Sequence, residues 1–362
     1  MPPLEAWERV LVDPAALEGI HGTVSCVECH GGNDIADFGR AHDGLIVDPS
    51  DAPNQVCGTC HPDVQQPANN SLHMTLAGYD LALYSRSIPE NHPALEEMEA
   101  NHCNSCHATC GQCHVSQPTS VGGGLLEGHQ IVETPPMTRT CTGCHGSRVR
   151  NEFTGRNEGF PGDVHFTQGR MSCVACHTGN EMHGVDVIGE HRYDGARTPR
   201  CEDCHIDVLT SSGNIYHTTH QDTLACQVCH SISYKNCSSC HVQQNEEGIA
   251  YYEIDPSWMD FQIGLNTTIS SERPWKYVLV RHVPISPTSF EYYGENLLPN
   301  FDARPTWLEA TPHNIQLRTP QTESCDNCHG SLDLFLTEDD VLPEELEANQ
   351  SVIVREIPDM TP

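Results

Sequence analysis

Large apolar side chains are scarce in this sequence. Aromatic residues make up 6% of the 362 positions, and the 37% that are hydrophobic include 20 cysteines. A chain of this length would by default form one large domain or two. So thin an apolar supply leaves little for a conventional layered core. Basic residues are scarce as well: 18 Lys and Arg stand against 50 Asp and Glu, a formal charge of −32. Nucleic acid and anionic lipid surfaces are bound through basic patches, so neither is expected as a partner. No apolar run approaches the roughly eighteen residues of a membrane span. The start, Met1-Pro2-Pro3-Leu4-Glu5, has neither the basic nor the apolar region of a signal peptide. We read the numbering as that of a processed chain, periplasmic or extracellular, with its leader removed.

Cysteine is abundant, and all of it falls into one pattern. Ten Cys-x-x-Cys-His units are formed by Cys26, Cys29 and His30; Cys57, Cys60 and His61; Cys103, Cys106 and His107; Cys110, Cys113 and His114; Cys141, Cys144 and His145; Cys173, Cys176 and His177; Cys201, Cys204 and His205; Cys226, Cys229 and His230; Cys237, Cys240 and His241; and Cys325, Cys328 and His329. A disulfide framework or zinc sites could also use Cys-x-x-Cys pairs. Neither requires a histidine after every second cysteine, and histidine is only 23 of 362 residues. The pattern is the attachment signature of c-type haem. Its two thiols add to the vinyl groups of one porphyrin, and the adjoining imidazole supplies an axial ligand to iron. The units at Cys103–His107 and Cys110–His114 are separated only by Ala108 and Thr109, so two haems are expected as close neighbours.

The first cysteines follow one another at 31, 46, 7, 31, 32, 28, 25, 11 and 88 residues. A short third step recurs in each half, which suggests a duplicated five-haem module. Ser25-Cys26-Val27-Glu28-Cys29-His30 also matches Ser172-Cys173-Val174-Ala175-Cys176-His177. The expected division is a pentahaem module over residues 1–155 and a second over 156–362. The second carries a haem-free, aromatic, β-containing insertion at about 242–324 and a C-terminal tail. Near the junction, Arg148, Arg150 and Arg156 form a basic cluster suited to haem propionates, or simply a solvated loop. Leu72 to Ser85 reads as a helix carrying His73, and Pro93 to Ala100 as a helix delivering His102 against Cys103. Lys276 to Arg281 reads as a strand. Val352-Ile353-Val354 reads as an apolar terminal strand that folds back on its own domain or adds to a neighbouring subunit.

Thirteen histidines lie outside the units. His92 and His191 read as solvent-facing; the candidates for the second axial position are His21, His42, His73, His102, His129, His165, His183, His217, His220, His282 and His313. The duplication pairs His21 with His165, His73 with His217 and His102 with His220. It pairs His129 with His282 or His313, and His42 with His183 or His191.

This pattern resembles multihaem c-type cytochromes of bacteria and archaea, over about the whole chain. The resemblance implies a haem-stapled fold of irregular segments and short α-helices with few strands. It also implies ten covalent haem c groups with mainly bis-histidine iron, passing electrons to redox partner proteins or extracellular acceptors. Some extracellular relatives polymerise, so self-association into a filament belongs to the same expectation. Calcium, an admissible companion ion, has no support in the sequence. An electron carrier is favoured over an enzyme, and no catalytic residue is assigned. The alternative is an oxidoreductase of small nitrogen or sulfur oxyanions. The close pair Cys226–His230 and Cys237–His241, with Tyr234-Lys235-Asn236 between, looks like the octahaem tetrathionate-reductase and hydroxylamine-oxidoreductase group. No unit carries the lysine in place of histidine that marks the catalytic iron of pentahaem nitrite reductases.

Overall fold

The structure is a computed structural model. It describes all residues except 1–4, 52–54, 76, 105–106, 186, 188, 190, 195–196, 211–212, 238 and 359–362. Cys106, assigned above to the third unit, lies outside the described residues. Most of the chain is short helical turns joined by irregular segments, with a few small sheets. The longest helix among the described residues is His92–His102, 11 residues ending on the expected histidine. The helix expected from Leu72 starts later, at Ala77, and runs to Tyr84. His73 therefore sits in the turn ahead of it.

The chain divides into two compact units, each discontinuous in sequence. The first comprises Met1–Leu81, Cys103–Gly146 and Ser172–Thr198, and the second Ala82–His102, Ser147–Met171 and Pro199–Pro362. The first holds six of the Cys-x-x-Cys-His units and the second four, which differs from a cut at residue 155 into five and five.

In the first unit Ala68 and Leu126 are the buried apolar side chains among the described residues. The core lies in the second unit. Its centre is an antiparallel sheet of β5 (Gln262–Leu265), β6 (Tyr277–His282) and β7 (Trp307–Glu309). Tyr277-Val278-Leu279-Val280 is a continuous apolar run rather than an alternating one. Such a run forms a strand covered on both faces, and all four residues are buried. Ile263, Phe335, Leu336 and Val352-Ile353-Val354 belong to the same buried cluster. The terminal segment folds back within this unit, its backbone bonding β5 (Leu265 N to Val352 O, 2.8 Å) and Leu336 (Val354 N to Leu336 O, 2.8 Å). Two smaller antiparallel pairs flank this arrangement: β1 (Tyr234–Lys235) with β4 (Met259–Asp260), and β2 (Cys240–Gln244) with β3 (Ala250–Ile254). Leu279→Ala should cost about 2–5 kcal/mol. A lowered denaturant midpoint for the second unit checks it.

Candidate haem sites

Most units form a single turn. Cys26–His30, Cys110–His114 and Cys226–His230 are five-residue α-helices. Val56–Thr59, Cys173–Ala175 and Cys201–Asp203 are 3-10 turns. Local sequence explains the start of two of them. Ser25 with Glu28, and Thr109 with Gln112, are capping boxes that satisfy the free amides at the helix start. Residues three and four apart share a helix face, so both thiols and the histidine of a unit emerge on one side. The ninth unit departs from this pattern, because Cys240 and His241 lie on β2.

Seven unit histidines each face a histidine from outside the units. The ring centroids are 6.0 Å apart for His61 and His21, 5.8 Å for His30 and His129, 6.3 Å for His145 and His73, and 6.2 Å for His114 and His183. In the second unit they are 6.0 Å for His205 and His165, 6.1 Å for His230 and His217, and 6.2 Å for His329 and His220. An imidazole nitrogen sits about 2 Å from a metal ion it binds, so two rings on opposite sides of one ion have centroids roughly 6 Å apart. The seven pairs have that separation, with a Cys-x-x-Cys pair beside each. The side chains therefore fit c-type haem. Among the described residues no three or more His, Cys, Asp or Glu converge where a metal ion could be held by side chains alone. No two of the described cysteines form a disulfide.

The hydrogen bonds of these rings leave the right atom for iron. His30, His114, His230 and His329 donate from Nδ1 to the carbonyls of Ile46 (3.0 Å), Val132 (2.7 Å), Gln316 (3.1 Å) and Pro358 (2.7 Å). His220 donates likewise to Tyr216 at 2.8 Å. Holding Nδ1–H on an acceptor fixes the tautomer and leaves the Nε2 lone pair for metal. Burial lowers the pKa of His73 and His183, which favours the neutral ring that metal binding requires.

Two other candidate histidines are held differently. The Nε2 of His102 bonds the Tyr293 hydroxyl at 2.9 Å, and the Nε2 of His282 bonds Glu345 at 2.8 Å while its ring stacks on Trp307. Both rings are buried and use the atom that iron would take. His42 donates from Nδ1 to Phe38 O at 2.6 Å, with its ring against that phenyl group. His313 donates its backbone N–H to the buried Glu152 at 3.0 Å. His92 stacks on Tyr84, and His191 accepts at Nδ1 from the backbone N–H of Tyr193. Of the remaining unit histidines, His107 lies near the Tyr79 ring at 6.4 Å, and His241 is 3.4 Å from Thr288 O. His177 donates from Nδ1 to Glu181 at 3.0 Å. Arg148 of the basic cluster lies 3.9 Å from Glu152. Tyr234 is fully buried and donates its hydroxyl to Val280 O.

Several of the Cys-x-x-Cys-His sites lie close to one another within each compact unit. A hydrogen bond between the Cys57 and Cys110 thiols raises the pKa of Cys57 and lowers that of Cys110 to about 7. Cys173 acts on Cys141 in the same way, lowering it to about 7, and Cys201 lowers Cys226. Burial pushes Cys113 up to about 11, with Cys141 and Cys144 close enough to add to the rise. Cys229 is likewise raised to about 11 by burial, with Cys328 adding to the effect.

No protein-family model matches the chain, and no solved structure matches it. A high-molecular-weight cytochrome c of Nitratidesulfovibrio vulgaris (strain Hildenborough) is 25% identical over 183 residues, covering 46% of this chain and 28% of that protein. The match thus spans less than a third of the relative's length. The architecture, short helices with small sheets, is compatible with a multihaem cytochrome. No helix among the described residues is long and apolar enough to cross a membrane.

Proposed function

We propose that this chain is an electron carrier that holds ten covalent c-type haems, mostly with two axial histidines, and works outside the cytoplasm. The observation that carries this reading is the set of seven imidazole pairs at 5.8–6.3 Å. Bound haem would supply a one-electron Fe(III)/Fe(II) couple. The chain's own part is to fix each porphyrin through two sulfurs and clamp its iron between two oriented rings. It also brings neighbouring attachment points together, so that electrons could travel in short steps. Iron held by two strong ligands has no position for substrate, which suits a carrier. In this reading His102 and His282 hold the second unit together and are not ligands.

A module duplication has partial support in the pairing. His21 and His165 face the second unit histidine of their halves, and His73 and His220 face the fifth. His220, rather than His217, is thereby the counterpart of His73.

Two measurements test the reading. The denatured protein should exceed its 39.9 kDa polypeptide mass by ten porphyrins, and a colourless product would end the proposal. Its spectrum should be that of low-spin iron, little altered by cyanide. Electron microscopy tests the filament expectation, which fibres support and a uniform monomeric particle removes.

One observation favours an enzyme as a second reading. His241 stands beside a carbonyl, and Arg281 Nη1 lies 3.0 Å from Cys237 Sγ. An Arg beside an exchangeable iron position would suit a small oxyanion. A high-spin signal abolished by nitrite or hydroxylamine would favour this reading.

A further inference from the structure

Two imidazoles of the proposed haem sites donate to charged acceptors. Five bond neutral backbone carbonyls from Nδ1, whereas His177 and His165 bond carboxylates. His177 Nδ1 lies 3.0 and 3.2 Å from the two oxygens of Glu181, four residues on. His165 Nδ1 lies 2.8 Å from Asp163 Oδ1. Neither carboxylate is free to swing into solvent. Glu181 sits on the short Gly179–His183 helix that Thr178 caps, with its side chain 13% exposed. Asp163 has its side chain 4% exposed; Oδ1 also accepts from His165 N (2.8 Å) and Oδ2 from Ile315 N (2.9 Å). The first pair lies in one compact unit and the second in the other.

A charged acceptor makes a stronger hydrogen bond than a carbonyl. It draws the Nδ1 proton away and makes the imidazole a more basic ligand. A more basic ligand stabilises Fe(III) over Fe(II), which lowers the reduction potential. Solvent screening is weak at both sites, because both carboxylates are mostly buried.

We propose that Glu181 and Asp163 are positioning residues that set potential, each holding one haem of its unit below its carbonyl-backed neighbours. The inference rests on the haem reading given above. Electrons would then reach these two positions only from low-potential donors. The Asp163 site is the His205–His165 pair, and the Glu181 site belongs to the unit of Cys173 and Cys176.

The test is a spectroelectrochemical titration of the haem-loaded protein, comparing wild type with Glu181→Gln, Glu181→Asp and Asp163→Asn. Glu181→Gln keeps size and polarity and removes the charge. One component of its titration should shift toward reduction by about tenfold in equilibrium constant, or about 59 mV for a one-electron couple. Glu181→Asp, which keeps the charge, should titrate close to wild type. Asp163→Asn should move a different component in the same direction. A Gln curve superimposed on wild type, or displaced to lower potential, overturns the proposal for Glu181. So does an Asp variant that shifts as far as Gln, since that marks packing rather than charge. Asp163 also bonds two backbone amides, so its variant is first checked for folding by circular dichroism. If it does not fold, the Glu181 pair of variants decides. Protein without covalent haem would instead fail the underlying reading.

Discussion

Made without haem attachment, the chain should lose order across Met1–Leu81, Cys103–Gly146 and Ser172–Thr198, while the sheet core of the second unit stays folded. The first unit buries Ala68 and Leu126 as its described apolar core, yet carries six attachment units. Burying a Leu-sized side chain contributes about 1.5–3 kcal/mol, whereas ordering a single residue's backbone costs about 1–2 kcal/mol. Two buried side chains cannot offset the ordering of so long a stretch. Trp7, Ile20, Phe38 and Val47, all well exposed, offer apolar surface that porphyrin faces could cover. The second unit has its own interior around Ile263, Leu279, Phe335 and Ile353. Limited proteolysis of the haem-free chain with mass mapping should show early cuts throughout the first unit. A protected fragment should contain residues 262–354. Protection of the first unit would remove the idea that porphyrins form its interior.

The second large effect is expected at His129, which faces His30 with a backbone φ of +78°. A non-glycine residue in the left-handed region costs of order 1–3 kcal/mol and persists where the surroundings demand that side chain. Gly128, also at positive φ (+58°), precedes it, and a Cβ there would lie 2.5 Å from the Asp13 side chain. This tight turn thus presents the imidazole at the expense of backbone strain. His129→Gly should relieve roughly 1 kcal/mol of that strain and at the same time open one iron. EPR should show a new high-spin signal of one haem, and added imidazole should return it to low spin. An unchanged low-spin spectrum would mean that His129 is not a ligand.

The readable part of this protein was local. Each unit identifies itself because thioether chemistry needs two cysteines on one turn with a histidine next to them. The Tyr277–His282 strand and the His92–His102 helix were legible, within a few residues, because an apolar run and a Pro-led acidic stretch encode them directly. Glu181 could also have been found, four residues after His177, and Asp163 two residues before His165. Both went unread because a carboxylate near a histidine has no marking of its own in so acidic a chain.

Which histidine faces which was not legible. His21 precedes the first unit and faces the second, and His129 precedes the fifth and faces the first. Counting made His102 and His282 as eligible as the others, and only the positions of Tyr293 and Glu345 show their Nε2 atoms taken. Residue types alone pick out the proposed attachment points, since each lies within five consecutive residues. The histidine that faces each of seven unit histidines comes from 13 to 109 residues away. Its choice depends on how the chain packs and on which ring nitrogen a distant backbone carbonyl or side chain claims.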